Sequence, residues 1–310
     1  VCYWLILLAV TWLLTRPHSR RAFAFLGAGM VLLCSPGLYQ AFVPGPVVSL
    51  TVLDTGMSQA VMLRTASGRT VLIDGGGSWN LDYDIGRALV GPALSYGHPP
   101  RVDVVLLSHI DADHVRGLHY ILKKFSVGWF GWTGLVDTTQ ETTRLLETLA
   151  RTKPHIRSVR AGERIDLDTD LYLEALYPPP QLTGISENNT SLVLRLVYKE
   201  KGLAMLPGDA ERPALSRIAA LPQDIQAELL VAAHHGSVSS LEPSFLQRVA
   251  PRQVVAACSK DNRFGFPHPR VRDYVATLGA NLWTTGEHGA VRCQWDAHGA
   301  LRITTARSAH

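Results

Sequence analysis

Cysteine is scarce in this chain, four in 310 residues, which excludes a small scaffold stapled by disulfides. Charge is also thin, at 18% against 46% hydrophobic residues, and that balance excludes an intrinsically disordered chain. Internal repeats and low-complexity segments are absent. A strong charge of one sign is missing too: the formal net charge is only +4. Acidic residues are absent from the first 49 positions, where Arg16, Arg20 and Arg21 are the only basic ones; removing these three leaves 27 basic against 26 acidic residues in the rest. A globally basic nucleic-acid binder is not what this distribution describes.

What the sequence does have is an apolar start. Val1–Thr15 carries no charge, Arg16-Pro17-His18-Ser19-Arg20-Arg21 follows, and a second apolar stretch begins at Ala22 and continues towards Val48. Each approaches the roughly 20 residues that a bilayer span needs. Gly27, Gly29, Pro36 and Gly37 suit a membrane helix better than a soluble one. A signal peptide would place its basic residues ahead of the apolar core, whereas here the chain begins inside one, without Met. Residues 1–45 therefore read as a membrane-spanning remnant, two apolar segments around a basic loop. The positive-inside rule puts that loop in the cytoplasm and residues 46–310 on the extracytoplasmic side of a cell membrane. Cys258 and Cys293 fall in that exported part, where pairing is permitted.

After Pro44-Gly45-Pro46, a linker signal, short strands are expected at 47–53, 60–65 and 69–73, the last two joined at Ser67-Gly68. Residues 85–96 read as helical, with Gly91-Pro92 as a potential break. A buried strand over 102–107 precedes helices at 115–125 and 138–151, the latter with Leu145, Leu146 and Leu149 on one side. Further strands are expected near 171–176, 190–198, 203–206, 228–233, 253–257, 281–285, 291–295 and 300–304. Helices begin near Pro213, Pro243 and Pro269, where a missing N–H costs nothing. The sum is an α/β protein with two mixed sheets flanked by helices.

The chemistry concentrates at strand ends. Val102–Leu107 runs into Ser108-His109-Ile110-Asp111-Ala112-Asp113-His114, four metal-ligand types on one strand-to-helix turn. Packing does not require such a run. His109 and Asp111 can face one way and Asp113 and His114 another, so the turn can serve two divalent ions about 3.5–4 Å apart. Leu203–Pro207 leads into Gly208-Asp209, and Leu229–Ala233 leads into His234-His235-Gly236-Ser237. A Gly-Asp turn or a surface His pair is unremarkable alone; three such strand ends together describe a metal centre.

His109-x-Asp111-x-Asp113-His114, with Leu72-Ile73-Asp74-Gly75-Gly76 upstream, resembles the metallo-β-lactamase superfamily. The ordered series is more narrowly similar to the exported C-terminal domain of the ComEC family of DNA-internalisation competence proteins. That series adds Val52-Leu53-Asp54-Thr55-Gly56, Ser186-Glu187-Asn188-Asn189-Thr190-Ser191, His234-His235-Gly236-Ser237 and Asn262–Pro269. The resemblance covers roughly residues 47–296. It implies a metallo-β-lactamase αββα sandwich, preceded by transmembrane segments that adjoin a channel-forming upstream part.

By the same resemblance, His109, Asp111, Asp113, His114 and Asp209 are ligands to two divalent ions, zinc or manganese. One of His234 and His235 joins them, with His235 favoured and His234 beside it. Asp113, Asp209 and His268 are placed nearest the chemistry, His268 as ligand, general acid or phosphate contact, against a loop residue packed between prolines. Asp74 orients the ligand turn or simply makes an Asx turn. Asn188, Asn189 and Ser237 line the site or support it. Three positions depart from the family pattern: Asp111 replaces a usual His, Ser58 a Gly, and Arg116 the first Gly of a pair. The oxygen-richer ligand set makes manganese as suitable as zinc. Arg116 reads as a solvated helix residue, with a phosphate contact as the alternative. The implied activity is metal-dependent hydrolysis of phosphodiesters, with DNA as substrate and degradation of the non-imported strand as its purpose. The alternatives are a hydrolase of another ester or phosphodiester, or a non-catalytic DNA-binding domain in which Trp129 and Trp132 would stack on bases rather than fill the core.

Overall fold

Short runs of β-branched and leucine residues between turn signals set the strands of this chain. The computed structural model describes residues 45–80, 82–181 and 186–307, together with positions 10–12, 15, 23, 24 and 27. The chain divides into two units, Val1–Gly45 and Pro46–His310. Most of the expected membrane-spanning stretch lies outside the described residues. Among those described, no helix is long and apolar enough to cross a membrane.

The second unit holds two sheets. The first comprises β1 (Val48–Val52), β2 (Val61–Thr65), β3 (Thr70–Ile73), β4 (Arg101–Leu106), β5 (Ser126–Trp132) and β6 (Ile156–Ser158), with β14 (Val291–Trp295) and β15 (Leu301–Thr305) joined beside β1. The second runs in the order β13-β12-β11-β10-β9-β8-β7, with β7 at Arg164–Asp168, β8 at Leu171–Tyr177, β9 at Val193–Tyr198, β10 at Lys201–Leu206, β11 at Leu229–Val231, β12 at Gln253–Ala256 and β13 at Asn281–Thr284. β3 pairs parallel with β4, and β10 parallel with β11. Parallel pairs put consecutive strand ends on the same edge, which is how the ligand-bearing turns come to meet.

Alternation along the strands divides the core into layers. In β11, Leu229 and Val231 face the partner sheet while Leu230 faces the outer helices; in β12, Val255 faces inward and Val254 and Ala256 outward. The outer layer on the second sheet is filled by α5 (Arg212–Ala219), α6 (Pro243–Val249) and α7 (Pro269–Thr277). On the first sheet it is filled by α1 (Gly91–Ser95), α3 (Leu118–Lys124) and α4 (Gln140–Thr152). Helices therefore cover both outer faces, giving the αββα order. Cys258 and Cys293 are free and buried, Cys258 in the helix-covered layer and Cys293 between the sheets. Burial pushes both thiols up to about 12, and the permitted disulfide is not formed.

Several expectations change. The helix expected over 115–125 is two pieces, α2 (Ala112–Val115) and α3, interrupted at Arg116-Gly117. Gly91-Pro92 does not break its helix, because Pro92 sits in the first turn of α1. Leu146 is 44% exposed, while Leu145 and Leu149 are buried; residues four apart share a helix face and the next residue turns away from it. β5 carries no clear strand signal because Gly128 and Gly131 interrupt its pattern, and a side chain at 128 would sit 2.4 Å from the carbonyl oxygen of Asp103. β6 has all three residues exposed and so carries no alternation. Trp132 is buried and Trp129 packs on the core between the sheets, so neither is a free stacking surface.

Candidate metal centre

Four turns converge on one edge of the sandwich. Asp74 follows β3, Ser108–His114 follow β4, Gly208-Asp209 follow β10 and His234-His235 follow β11. Asp113, His114, Asp209 and His235 bring one ligand atom each within 4.8 Å of one another. His114, Asp209 and His235 are buried.

The histidines are fixed from behind. His114 Nδ1 donates to Asp74 Oδ2 at 2.8 Å, and His235 Nδ1 donates to the carbonyl of Ala257 at 2.7 Å. Their Nε2 atoms then turn to the centre, His114 Nε2 lying 3.1 Å from Asp209 Oδ1 and His235 Nε2 3.2 Å from Asp113 Oδ2. This outer hydrogen bonding sets which nitrogen remains available to a metal. His109 follows the same rule, its Nδ1 lying 3.0 Å from Ser108 Oγ, and its ring packs 4.2 Å from that of His114. Asp74 is wholly buried at φ +60. It accepts from Ser108 N–H at 2.8 Å, from Ser108 Oγ at 2.8 Å and from Gln59 Nε2 at 3.1 Å, besides His114.

Charge is concentrated without enough partners. His109 Nε2 is buried with no hydrogen bond, and His114 Nε2 and Asp209 Oδ1, 3.1 Å apart, have only each other, a costly state that a cation among them relieves. In the free chain the groups lean on one another. Burial alone would raise Asp209, but His114 and His235 hold it well below the carboxylate range. Burial opposes charge on His114, and Asp209, Asp74 and Asp113 outweigh it and raise its pKa well above the ordinary value. Asp113 is likewise lowered to about 2, its burial outweighed by His114 and His235. Two imidazole nitrogens and two carboxylates, with orphaned atoms pointing inward, suit a divalent ion.

The other anticipated residues fall around this group. Asp111 is half-buried and faces His109 Nε2 at 3.4 Å; neither belongs to the four. His234 is partly exposed, 3.6 Å from Asp209 Oδ2 and 3.6 Å from Glu211 Oε1, and Asn188 Nδ2 lies 3.5 Å from its Nδ1. Both histidines of the pair have left-handed backbones, a strain found chiefly at functional sites. Asn189 accepts from the N–H groups of Glu211 and Ala214 and donates to Ser186, so it ties the loop to α5. Ser237 caps the turn after the pair by accepting from Ser239 N–H. His268 caps α7, its Nδ1 accepting from Arg270 N–H at 3.2 Å, and it is not among the residues lining the cleft. Arg116 is part-buried and lines the cleft, held by carboxylate and backbone partners rather than by solvent. It donates to Glu141 Oε1 at 3.0 and 2.7 Å and to the carbonyl of Ser78 at 2.6 Å.

The cleft over the centre, about 680 Å³, is also lined by Met57, Trp79, Glu187, Arg263, Phe264 and Phe266. Glu187, Arg263, Phe264 and Phe266 fall within runs that carry the family resemblance but receive no individual role there, and Trp79 and Gln59 stand in no such run. Glu187 stands in the Ser-Glu-Asn-Asn run, where the asparagines are the more conspicuous side chains; burial and the nearby Asp111 and Asp137 raise it to about 7. Gln59 lies 15 residues before Asp74 with no motif to mark it.

Two face-to-face sheets under helices, with histidines and aspartates meeting at one edge, define a metal-binding αββα sandwich. The chain belongs to the metallo-beta-lactamase superfamily, whose family model matches residues 53–259. Its relatives include ComE operon protein 3 of Bacillus subtilis, 23% identical over 79% of this chain and 32% of that one. Competence protein ComA of Neisseria gonorrhoeae is 26% identical over 81% of this chain and 33% of that one. YcaI of Escherichia coli is 29% identical over 90% of this chain and 34% of that one. The first two are ComEC-family members, in line with the resemblance. The chain spans about a third of the length of these curated relatives.

Proposed function

We propose that this chain is a metal-dependent phosphodiester hydrolase that cuts DNA. The observation that carries the reading is the four-residue group with its orphaned inward atoms, set in a chain related to competence proteins. Asp113, His114, Asp209 and His235 would hold one ion and His109 with Asp111 would serve a second, zinc or manganese. Such ions, when bound, activate water and neutralise charge gathering on phosphate oxygens. The protein's part is to hold that arrangement: Asp74 and the Ala257 carbonyl fix the imidazoles, and Asp209 joins the two sheets at the centre. His234, partly exposed on the cleft wall, would hand a proton to the leaving oxygen. The apolar stretches around Arg16–Arg21 support a membrane location with this domain on the extracytoplasmic face, where the non-imported strand is the substrate.

The test is cleavage of single- and double-stranded DNA by the full chain with manganese or zinc. Wild type cuts; Asp209→Ala loses more than the roughly 100-fold that losing an outer hydrogen-bond partner costs. A wild type that leaves both DNAs intact ends the nuclease reading, and an Asp209→Ala protein as active as wild type ends the site assignment.

A further inference from the structure

One wall of the cleft is aromatic and carries a cation. Trp79 is 62% exposed and Phe264 44%. Phe264 stacks on Phe266 at 5.4 Å between centroids and 20° between planes. Phe266 in turn meets the His234 ring at 6.0 Å, so the aromatic surface is continuous with the metal centre. Arg263 lies between the exposed rings, its guanidinium carbon 4.7 Å from the Phe264 centroid and 5.9 Å from that of Trp79. Among the described residues it has no carboxylate partner.

This lip is built rather than loose. Asn262 donates to the carbonyls of Ser259 at 2.9 Å and Phe266 at 2.7 Å, and accepts from Phe266 N–H at 2.8 Å. Gly265 turns the loop at φ +66, a conformation that side chains other than glycine resist. The side chain of Asn262 thus holds residues 263–265 as a tip with one ring face outward.

We propose that Trp79, Arg263 and Phe264 form a nucleobase-stacking lip that makes unpaired, single-stranded DNA the preferred substrate of the adjoining centre. This deepens the hydrolase reading and rests on it for the phosphate half of the contact. Flat rings with an interleaved guanidinium accept the π-face of any base without reading its sequence. Bases in a duplex have their faces covered by neighbours, whereas those of a single strand are free to leave the stack. A strand whose bases lie on Phe264 and Trp79 passes its backbone along the same cleft as Asp113 and Asp209. A small ester has nothing to place there.

The experiment compares wild type, Phe264→Ala, Trp79→Ala and the ring-keeping Phe264→Tyr in the full chain. Binding of labelled oligothymidylate and of an equally long abasic chain is followed by anisotropy with a chelator present, so that no cleavage intervenes. Cleavage of oligothymidylate by wild type with manganese is measured alongside. The expected result is a loss of oligothymidylate binding of roughly tenfold for each alanine variant, recovery in Phe264→Tyr, and equal binding of the abasic chain by all four. Wild type binding the two chains alike overturns the lip, as does an alanine variant that keeps full oligothymidylate binding. A loss in Phe264→Ala of binding to phosphatidylglycerol vesicles, with oligonucleotide binding intact, would assign the lip to a membrane and equally overturn it. Base-dependent binding by a wild type that does not hydrolyse DNA leaves the lip standing and removes the hydrolase reading instead.

Discussion

Asp74 shows how much one buried carboxylate can organise. Its two oxygens serve the backbone and hydroxyl of Ser108, the amide of Gln59 and the imidazole of His114, and so fix both the start of the ligand turn and one ligand on it. Asparagine tolerates the left-handed backbone here but brings no charge and one acceptor fewer. Asp74→Asn is therefore expected to lower divalent-ion affinity roughly 10–100-fold with an unaltered circular dichroism spectrum, read by titration calorimetry with manganese. Unchanged affinity would show that His114 needs no anchor. The residue types at this scale were legible, since packing alone does not call for a run such as His109–His114. Their partners were not: Gln59 and Glu141 reach Asp74 and Arg116 across separate elements, and nothing local marks them.

At the scale of elements, the ligand turn is seated by contacts too close for side chains. A Cβ on Gly77 would stand 1.8 Å from the carbonyl oxygen of Ala112, and one on Gly117 1.9 Å from that of Gly75. The backbone after β3 thus lies directly on α2, which carries Asp113 and His114. Gly77→Ala must push the two apart, and an overpacking cost of about 1–3 kcal/mol follows. The denaturant midpoint should fall by a corresponding amount, and manganese should recover less of it than in wild type because the donors have moved. A variant with wild-type midpoints in both conditions would contradict this seating. The glycines after Asp74 were visible in the sequence as a strand-end signature. That they serve close approach to the helix beyond the next strand was not, because the distance between β3 and α2 is set by sheet pairing.

For the whole molecule, the centre couples protonation to stability. Without metal, Asp209 and Asp113 are depressed from the ordinary 3.8, and His114 and His235 are raised from 6.5. The carboxylate contribution is present above their ordinary value and lost as pH falls through the depressed ones. The histidine contribution is full below 6.5 and lost as pH rises through the raised values. In chelator the thermal midpoint should therefore decline as pH rises above about 6.5. Manganese should remove that decline, because it takes the place of the protons. A metal-free midpoint that climbs with pH from there would refute the coupling. Composition and order along the chain were enough to determine an α/β protein with two mixed sheets flanked by helices and ligand-type residues at strand ends, because strand periodicity, turn residues and ligand chemistry are local properties; the αββα order came from the family resemblance of the motifs. Which histidine of the pair turns inward, that Arg116 is bound by Glu141, that His268 caps a helix, and that Phe264 and Trp79 share a cleft with Asp209 were decided only by the tertiary structure. Each depends on where a neighbour from another element comes to lie, and that is fixed by sheet register and by packing between layers, which no local pattern records.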